Sequence, residues 1–458
     1  MDTELQNSIK QKLKKQKAMP KILFIQPTQY AENGKLCKQK KINLPGLAFP
    51  LLAAYTPSHW DVELLIEVVD EIDYDVDVDI VAIGSMGHAT FRGIEIAAEF
   101  KKRGKIVVMG GYMASIAYEE AMKHVDSVVI GDAEISYPKM LQDYEKKGSV
   151  EPLYNYPISE LKDLPIPRYE LLTQKNIGLM LPVQAGRGCT FSCSFCSIAC
   201  LYEGKYMFRP VDEVIRDIKE VKRLGYNRFY LIDDNIISNP KYLKELCEKI
   251  KPLKMKWASQ CSIHLAKNPE LLKVVRDSGC DLMSFGIESI QQDAIDSLQK
   301  PWLKANEHER NIQILAKSGI AVSSEMIVGT DFDTEESIRE TYQFIYRNRI
   351  PIPRFYILTP IPGTALHKQL KQEGRMLTDD LRLFDGTRCV HIPKMIHPEK
   401  LTEMYWWLNK KVFSSRSIIH RILFNTKLWR NPGMLLFALG INFHYRRYVK
   451  RKITPNIF

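Results

Sequence analysis

Three cysteines crowd one short polar loop, Gly186-Arg187-Gly188-Cys189-Thr190-Phe191-Ser192-Cys193-Ser194-Phe195-Cys196, in a C-x3-C-x2-C spacing. Thiolates that close along a chain can hold three irons of a cubane iron–sulfur cluster and leave the fourth iron without a protein ligand. An open iron is a place for chemistry, so Cys189, Cys193 and Cys196 are the candidate metal ligands and the candidate catalytic centre. A closed structural zinc site needs four ligands, usually as two pairs. Cys200 as the fourth would give C-x3-C-x2-C-x3-C, which resembles neither a zinc-finger pairing nor a ferredoxin run.

The loop must be held by something, and the apolar run 179–183 just before it reads as a strand ending at the cysteines. From there the chain keeps a steady rhythm. Expected strands at 182–185, 228–232, 256–261, 282–286, 322–328 and 355–358 alternate with helices at 211–224, 241–250, 269–278, 306–318 and 334–348. Six strands with a helix in each gap are too few for a closed eight-unit barrel and right for a partial one, whose active site faces the carboxyl ends of the strands.

Upstream, apolar runs at 21–25, 80–84, 106–109 and 128–130, with an alternating run at 61–66, read as five strands of a parallel, doubly wound sheet. The helix at 90–103 is expected to bury Phe91, Ile94, Ala97 and Ala98. Ligands of such sheets sit at the carboxyl ends of the strands. The loops there carry Gly84 and Ser85, Gly110 and Gly111, and Gly131, so a large flat or phosphate-bearing cofactor can approach the backbone. No G-x-G-x-x-G opens a helix, which argues against a dinucleotide. A proline-rich stretch with Pro157, Pro165 and Pro167 reads as a linker, and the chain after Pro362-Gly363-Thr364 turns mainly helical and aromatic.

The 458 residues leave room for two or three domains, with 45% hydrophobic and 26% charged residues as in ordinary globular chains. No run approaches a membrane-spanning length, and the lysine-bearing start lacks a signal-peptide core. Nine cysteines, an odd number, point to reduced thiols and a cytoplasmic setting. The formal charge of +11 concentrates in 10–21 and 446–452. Solvated tails are one reading of those runs, and attraction to an anionic surface is the other. The segment 422–448 interleaves Arg, Trp, Phe and Leu. It reads either as packing against the barrel or as an interfacial helix in peripheral membrane contact.

With these pieces placed, the sequence resembles the radical S-adenosylmethionine superfamily, in the branch with an N-terminal cobalamin-binding domain. The resemblance implies a 4Fe-4S cluster on Cys189, Cys193 and Cys196, an open iron chelated by S-adenosylmethionine, and a low-potential electron donor such as flavodoxin or ferredoxin. It implies that Phe195 packs near the adenine, that Asp234 or Asn235 receives the methionine ammonium, and that Glu288 of Gly286-Ile287-Glu288-Ser289 reaches the ribose. For each member of Asp233-Asp234-Asn235, a turn or helix cap is the rival reading. Glu325 lies inside an apolar strand and needs a partner, either ribose or a lysine such as Lys300. Gly329 lets adenine lie close to the backbone, and Gly110-Gly111 would border the cobalamin nucleotide tail. The D-x-H-x-x-G motif is absent, and His88, on a later loop, reads as a loop or packing histidine, so no histidine ligand to cobalt is expected.

The expected architecture is therefore α/β. A basic tail (1–20) precedes a Rossmann-like, cobalamin-binding-like domain (21–150), a linker (151–178), a partial (β/α)6 TIM-type barrel (179–365) and a helical C-terminal region (366–458). The expected activity is reductive cleavage of S-adenosylmethionine and, with cobalamin, methylation of an unactivated carbon of an apolar substrate. Within the branch the likeness is to hopanoid and isoprenoid-lipid-modifying members. The alternative keeps the radical step for cyclisation, carbon–carbon coupling or oxidation. An RNA-modifying relative would carry further cluster cysteines in the N-terminal domain, where only Cys37 occurs. A non-catalytic cobalamin sensor would not need the cysteine triple.

Overall fold

The computed structural model describes residues 19–31, 34–84, 86–87 and 89–455, so Ser85, His88 and most of the basic N-terminal run lie outside the described residues. The chain packs as two units. The first takes the start of the chain to Thr28, Ala48–Ile158 and Pro167–Lys175; the second takes Gln29–Leu47, Ser159–Ile166 and the chain from Asn176 onward.

In the first unit the apolar runs become strands; the central ones are buried on both faces, as parallel sheets require, and the two edge strands expose Glu63 and Leu153. The strands are β1 (Lys21–Gln26), β2 (Asp61–Ile66), β3 (Ile80–Gly84), β4 (Ile106–Gly110), β5 (Ser127–Val129) and β6 (Leu153–Tyr154). They form one sheet in the order β2-β1-β3-β4-β5-β6 with every pair parallel. The sixth strand lies in the stretch expected to be a linker, where its two residues pair with Val128 and Val129. Segment 151–178 is thus no bare connector, and 29–47 belongs to the second unit rather than to the first.

The helix Ala89–Lys102 turns a different stripe inward from the one expected: Thr90, Gly93, Ile96, Ala97 and Phe100 are buried. Of the expected set Ala97 is among them and Ile94 packs part-buried against the same core, while Ala98 is exposed. A Cβ on Gly93 would stand 3.0 Å from Ile83, so the bare glycine brings the helix onto the sheet and sets its rotation.

The second unit builds β7 (Leu181–Gln184), a small antiparallel pair of β8 (Gly186–Gly188) with β9 (Tyr206–Phe208), then β10 (Arg228–Ile232), β11 (Lys256–Cys261), β12 (Cys280–Glu288), β13 (Ala321–Val328) and β14 (Ile352–Ile357). Six of them form a parallel sheet ordered β14-β13-β12-β11-β10-β7, the partial barrel. Its helices begin by a repeated local device. Asn239-Pro240, Asn268-Pro269 and Asn431-Pro432 each place proline in the first turn and the asparagine side chain on a backbone N–H two residues past it. After the barrel come Ala365–Gln372, Pro398–Val412, Ser415–Leu423 and Pro432–Lys450. No helix among the described residues is long and apolar enough to cross a membrane.

One buried ion pair fixes the approach to the cysteine loop. The backbone N–H of Arg209 donates to the Ala185 carbonyl at 2.9 Å, and its guanidinium donates to the Gln184 carbonyl and to Asp217 at 2.8 Å. Asp217 is fully buried on the helix Val211–Arg223. Asp217→Ala takes the nearer carboxylate from the buried Arg209 guanidinium and leaves it only Glu213 at 3.4 Å, and should cost about 3 kcal/mol in chemical unfolding, whereas Asp212→Ala on the exposed face should cost under about 1 kcal/mol.

Candidate functional site

The cysteine loop leaves the carboxyl end of β7, makes β8 and closes into the helix Ser197–Tyr202, whose N-cap is Cys196. All nine cysteines are free thiols. The Cys189 sulfur receives the Phe191 N–H and a hydrogen bond from the Asn235 side chain, and the Cys196 sulfur receives the N–H groups of Ala199 and Ile198. Burial pushes all three thiols up, Cys193 to about 12. Left bare, they resist ionisation, and metal coordination is what turns such a buried thiol into a thiolate. Hydrogen bonds to the sulfurs then spread its charge.

A cation faces the three sulfurs. Lys300 is largely buried and donates to Glu288, and its ammonium sits 5.6 Å from the centroid of the Phe195 ring. Burial alone would lower its pKa; the Glu288 carboxylate, joined by Cys193 once that thiol is ionised, outweighs burial and holds it above the ordinary lysine value. The Gly286-Ile287-Glu288-Ser289 segment permits this geometry. Glu288 adopts a left-handed backbone with φ 58°, and a Cβ on Gly286 would collide with the Glu288 carboxylate and crowd Lys300.

Of the other expected site residues, Asp234, Asn235 and Gly329 follow the carboxyl ends of their strands, whereas Glu325 lies within β13. Phe195 packs against an apolar cluster of Leu298, Ile327, Leu358, Leu366 and Leu370. Asp234 accepts the Gly188 N–H at 2.7 Å, and the Asn235 side chain accepts the Ser262 N–H at 2.9 Å. The segment after β10 thus braces the cysteine loop from below. Glu325 accepts hydrogen bonds from Ser284 and from the buried guanidinium of Arg354, Nε at 2.8 Å. Its protein partner is therefore an arginine one strand over, while Lys300 serves Glu288. Gly329 sits at φ 102° with Leu401 where a Cβ would go. Asp333 accepts its N–H at 2.9 Å, and its carbonyl lies 3.0 Å from His391 Nε2.

Sequence reading missed Arg354, Asp333, His391 and the stacking of Trp302 on Phe191 at 4.3 Å between centroids. Arg354 had a signal: it stands mid-strand in an apolar run beside a strand that carries a lone acid. Lys300, expected as the lysine for the buried acid Glu325, pairs instead with Glu288; Trp302 lies in a turn without periodicity and had no signal.

In the first unit, the loops after β3, β4 and β5 hold Gly87, Gly111 and Gly131 at φ 52°, 107° and 67°. Ser115 Oγ donates to the Gly111 carbonyl and accepts the Gly131 N–H, which ties the last two together. Gly131 faces open space, and Met86 (64%) and Ile135 (48%) expose apolar side chains beside these turns. A Cβ on Gly84 would meet the Phe49 ring at 2.9 Å, so Gly84 serves packing, while Gly110 has ordinary clearance from Val129.

The family model described as the radical SAM superfamily matches residues 183–345. The bacteriochlorophyllide d C-12(1)-methyltransferase of Chlorobaculum tepidum is 30% identical over 97% of this chain and 96% of its own length. The hopanoid C-2 methylase of Rhodopseudomonas palustris is 25% identical over 74% of this chain and 66% of its own. Among solved structures, the cobalamin-dependent radical enzyme OxsB, with aqua-cobalamin and S-adenosylmethionine bound, matches 93% of this chain and 72% of its own, with a TM-score of 0.69 at 13% identity, a likeness of fold.

Two substitutions separate the roles of the sulfurs. Cys193→Ala should lose the cluster's visible absorbance and most of its iron after anaerobic reconstitution, and Cys200→Ala should keep both. Lys300→Met should load iron and lower the midpoint potential measured by redox titration, because a nearby cation favours the more negative, reduced state; a potential equal to wild type would contradict the placement of this charge.

Proposed function

Because the chain belongs to the radical S-adenosylmethionine superfamily, we propose that it methylates an unactivated carbon of a large apolar, polycyclic substrate, using cobalamin held by the first unit. The observation that carries the reading is the setting of the cysteine loop: three free thiols, N–H groups aimed at two of them, and one buried cation facing all three. When bound, the cluster and S-adenosylmethionine supply one-electron C–H activation, and methylcobalamin supplies a methyl group.

The chain's own residues do the rest. Cys189, Cys193 and Cys196 would hold the cluster, and Lys300 balances their charge. Glu288 brings a carboxylate to the carboxyl end of β12, where a nucleoside's hydroxyls can donate to it, and Glu325 places a second one within β13; Lys300 and Arg354 pair with the two acids and hold them in place. Asp234 and Asn235 lie beside Cys189, in reach of an ammonium group. Asp333 accepts the Gly329 N–H and His391 meets its carbonyl, which fixes the turn after β13; Leu401 covers the face of Gly329 where a Cβ would stand, so an adenine ring there would have to displace it.

For cobalamin, Gly111, Ser115 and Gly131 offer an open backbone edge, and Met86 and Ile135 offer apolar contacts. Gly110 and Gly111 would border it, whereas Gly84 is taken up by packing against Phe49 and Ser85 lies outside the described residues. The substrate class draws on the relatives: bacteriochlorophyllide d and hopanoids, the compounds named for them, are both extended and largely apolar ring systems. The hopanoid-like reading is the narrower form of this proposal.

The test is anaerobic reconstitution with iron, sulfide and hydroxocobalamin, then incubation with S-adenosylmethionine carrying a deuterated methyl group, with dithionite in place of flavodoxin or ferredoxin. Wild type should retain iron and corrinoid and form 5′-deoxyadenosine, and Gly111→Val should retain the iron and lose the corrinoid. With a polycyclic acceptor present, product mass should rise by one labelled methyl group per turnover. Iron uptake without corrinoid, or a product without added carbon, would overturn methyl transfer and leave a radical cyclisation or oxidation.

A further inference from the structure

From Met404 onward the chain contains no Asp or Glu and eleven Lys and Arg residues, which equals the formal net charge of the entire protein, +11. Charge so segregated creates a field that attracts anions. The structure shows where part of it is displayed. Lys427, Lys317 and Arg349 lie close enough for the other two to depress the Lys427 ammonium, which burial already disfavours. Lys317, Lys427 and Arg430 have no carboxylate partner among the described residues, and Arg349 spends its guanidinium on the Phe424 carbonyl.

Apolar side chains project from the same turn. Phe424 is 60% and Trp429 62% exposed, and Leu423 beside them is exposed too. Trp429 is not a loose ring, because its indole N–H donates to the Leu423 carbonyl at 2.9 Å. The following helix, Pro432–Lys450, continues the pattern. Met434, Ala438, Ile441, Asn442, Tyr445 and Val449 face inward, while the opposite stripe runs Leu436, Gly440, Phe443, Arg447 and Lys450, apolar first and then basic. Asn442 and Arg421 fix that rotation. Arg421 is fully buried and donates to the Ile350, Pro351 and Val412 carbonyls and to Asn442, which itself donates to the Pro351 carbonyl.

We propose that the turn 423–431 and the outward stripe of Pro432–Lys450 form a docking face for an anionic phospholipid bilayer. Exposed aromatic and aliphatic side chains ringed by unpaired cations are what an interfacial surface needs: apolar area to enter the acyl boundary and charge to meet the headgroups. Beside the turn lies a cavity of about 170 Å³ lined by Gln313, Arg347, Arg349, Asn425, Lys427 and Asn431, among others, with room and donors for a headgroup phosphate. Its one acidic lining residue, Glu309, is met by Arg347. A nucleic acid would use the cations and leave Leu423 and Leu436 exposed without purpose.

The cavity also contains Ala321 and Val322 at the start of β13 and Pro351 just before β14. The docking face therefore lies at the amino ends of the barrel strands, and the cysteine loop, after the carboxyl end of β7, is at the other end. A docked protein keeps its reactive mouth turned away from the lipid. The inference stands independently of the proposed methyl transfer, since lipid binding requires no cofactor.

The test is co-sedimentation of the full chain with vesicles of phosphatidylcholine alone and of phosphatidylcholine with an equal share of phosphatidylglycerol. Binding should appear only with phosphatidylglycerol and fall as salt rises. Phe424→Ser with Trp429→Ser, and separately Lys427→Glu with Arg430→Glu, should each weaken it at least about tenfold, while the unfolding midpoint and iron uptake stay at wild-type values. In the unaltered fold, lipids with brominated acyl chains should quench tryptophan emission, and Trp429→Phe should remove that quenching. Absence of binding to the anionic vesicles, wild-type binding by both double variants, or tighter binding of a single-stranded oligonucleotide that ignores the Phe424 and Trp429 changes would each overturn the proposal.

Discussion

The ammonium of Lys300 sits among groups that are negative or become so: the Glu288 carboxylate on one side and the sulfurs of Cys189, Cys193 and Cys196 on the other, with the Phe195 ring beneath it. Three thiolates in one buried loop cannot coexist without compensation, since each charge taken out of water costs several kcal/mol by order of magnitude. Metal supplies most of that compensation, and the protein supplies what it can in advance, one buried cation and a set of N–H donors. Glu288 keeps the cation in place at the expense of a left-handed backbone. The glycine two residues earlier leaves the space its carboxylate occupies.

The rest of the barrel holds this arrangement rigid. Asp234 and Asn235 tie the end of β10 to the backbone and sulfur of the cysteine loop, Trp302 stacks on Phe191 next to Lys300, and Arg209 anchors the end of β7 through a fully buried carboxylate. Farther round the sheet, Glu325 and Arg354 repeat the scheme of a buried acid met by a base on the neighbouring strand. Ionised groups within an apolar barrel are costly, and Glu288, Glu325 and Asp217 each have a basic partner within the protein.

Much of this was legible in the sequence because it is periodic or local. The strands lie within a few residues of the apolar runs, and the Asn-Pro pairs mark three helix starts without help from elsewhere in the chain. The cysteine loop needed only spacing. What stayed hidden depends on contacts distant in sequence. Lys300 gives no local sign of facing Cys193, and Glu325 meets no lysine but Arg354 on the adjacent strand. The helix Ala89–Lys102 is rotated from the face its apolar side chains suggest, because the residue that decides its packing, Gly93, has no side chain to count. The stretch 151–178 looks like a linker because its prolines hide a two-residue strand.

The central claim is that Cys189, Cys193 and Cys196 hold a cluster with one iron open to S-adenosylmethionine. Electron paramagnetic resonance of the reconstituted, dithionite-reduced protein reads that iron directly. The reduced cluster should give a signal whose g-values and line shape change when S-adenosylmethionine is added. A spectrum unaltered by saturating S-adenosylmethionine would mean that all four irons are already closed, and would contradict the account.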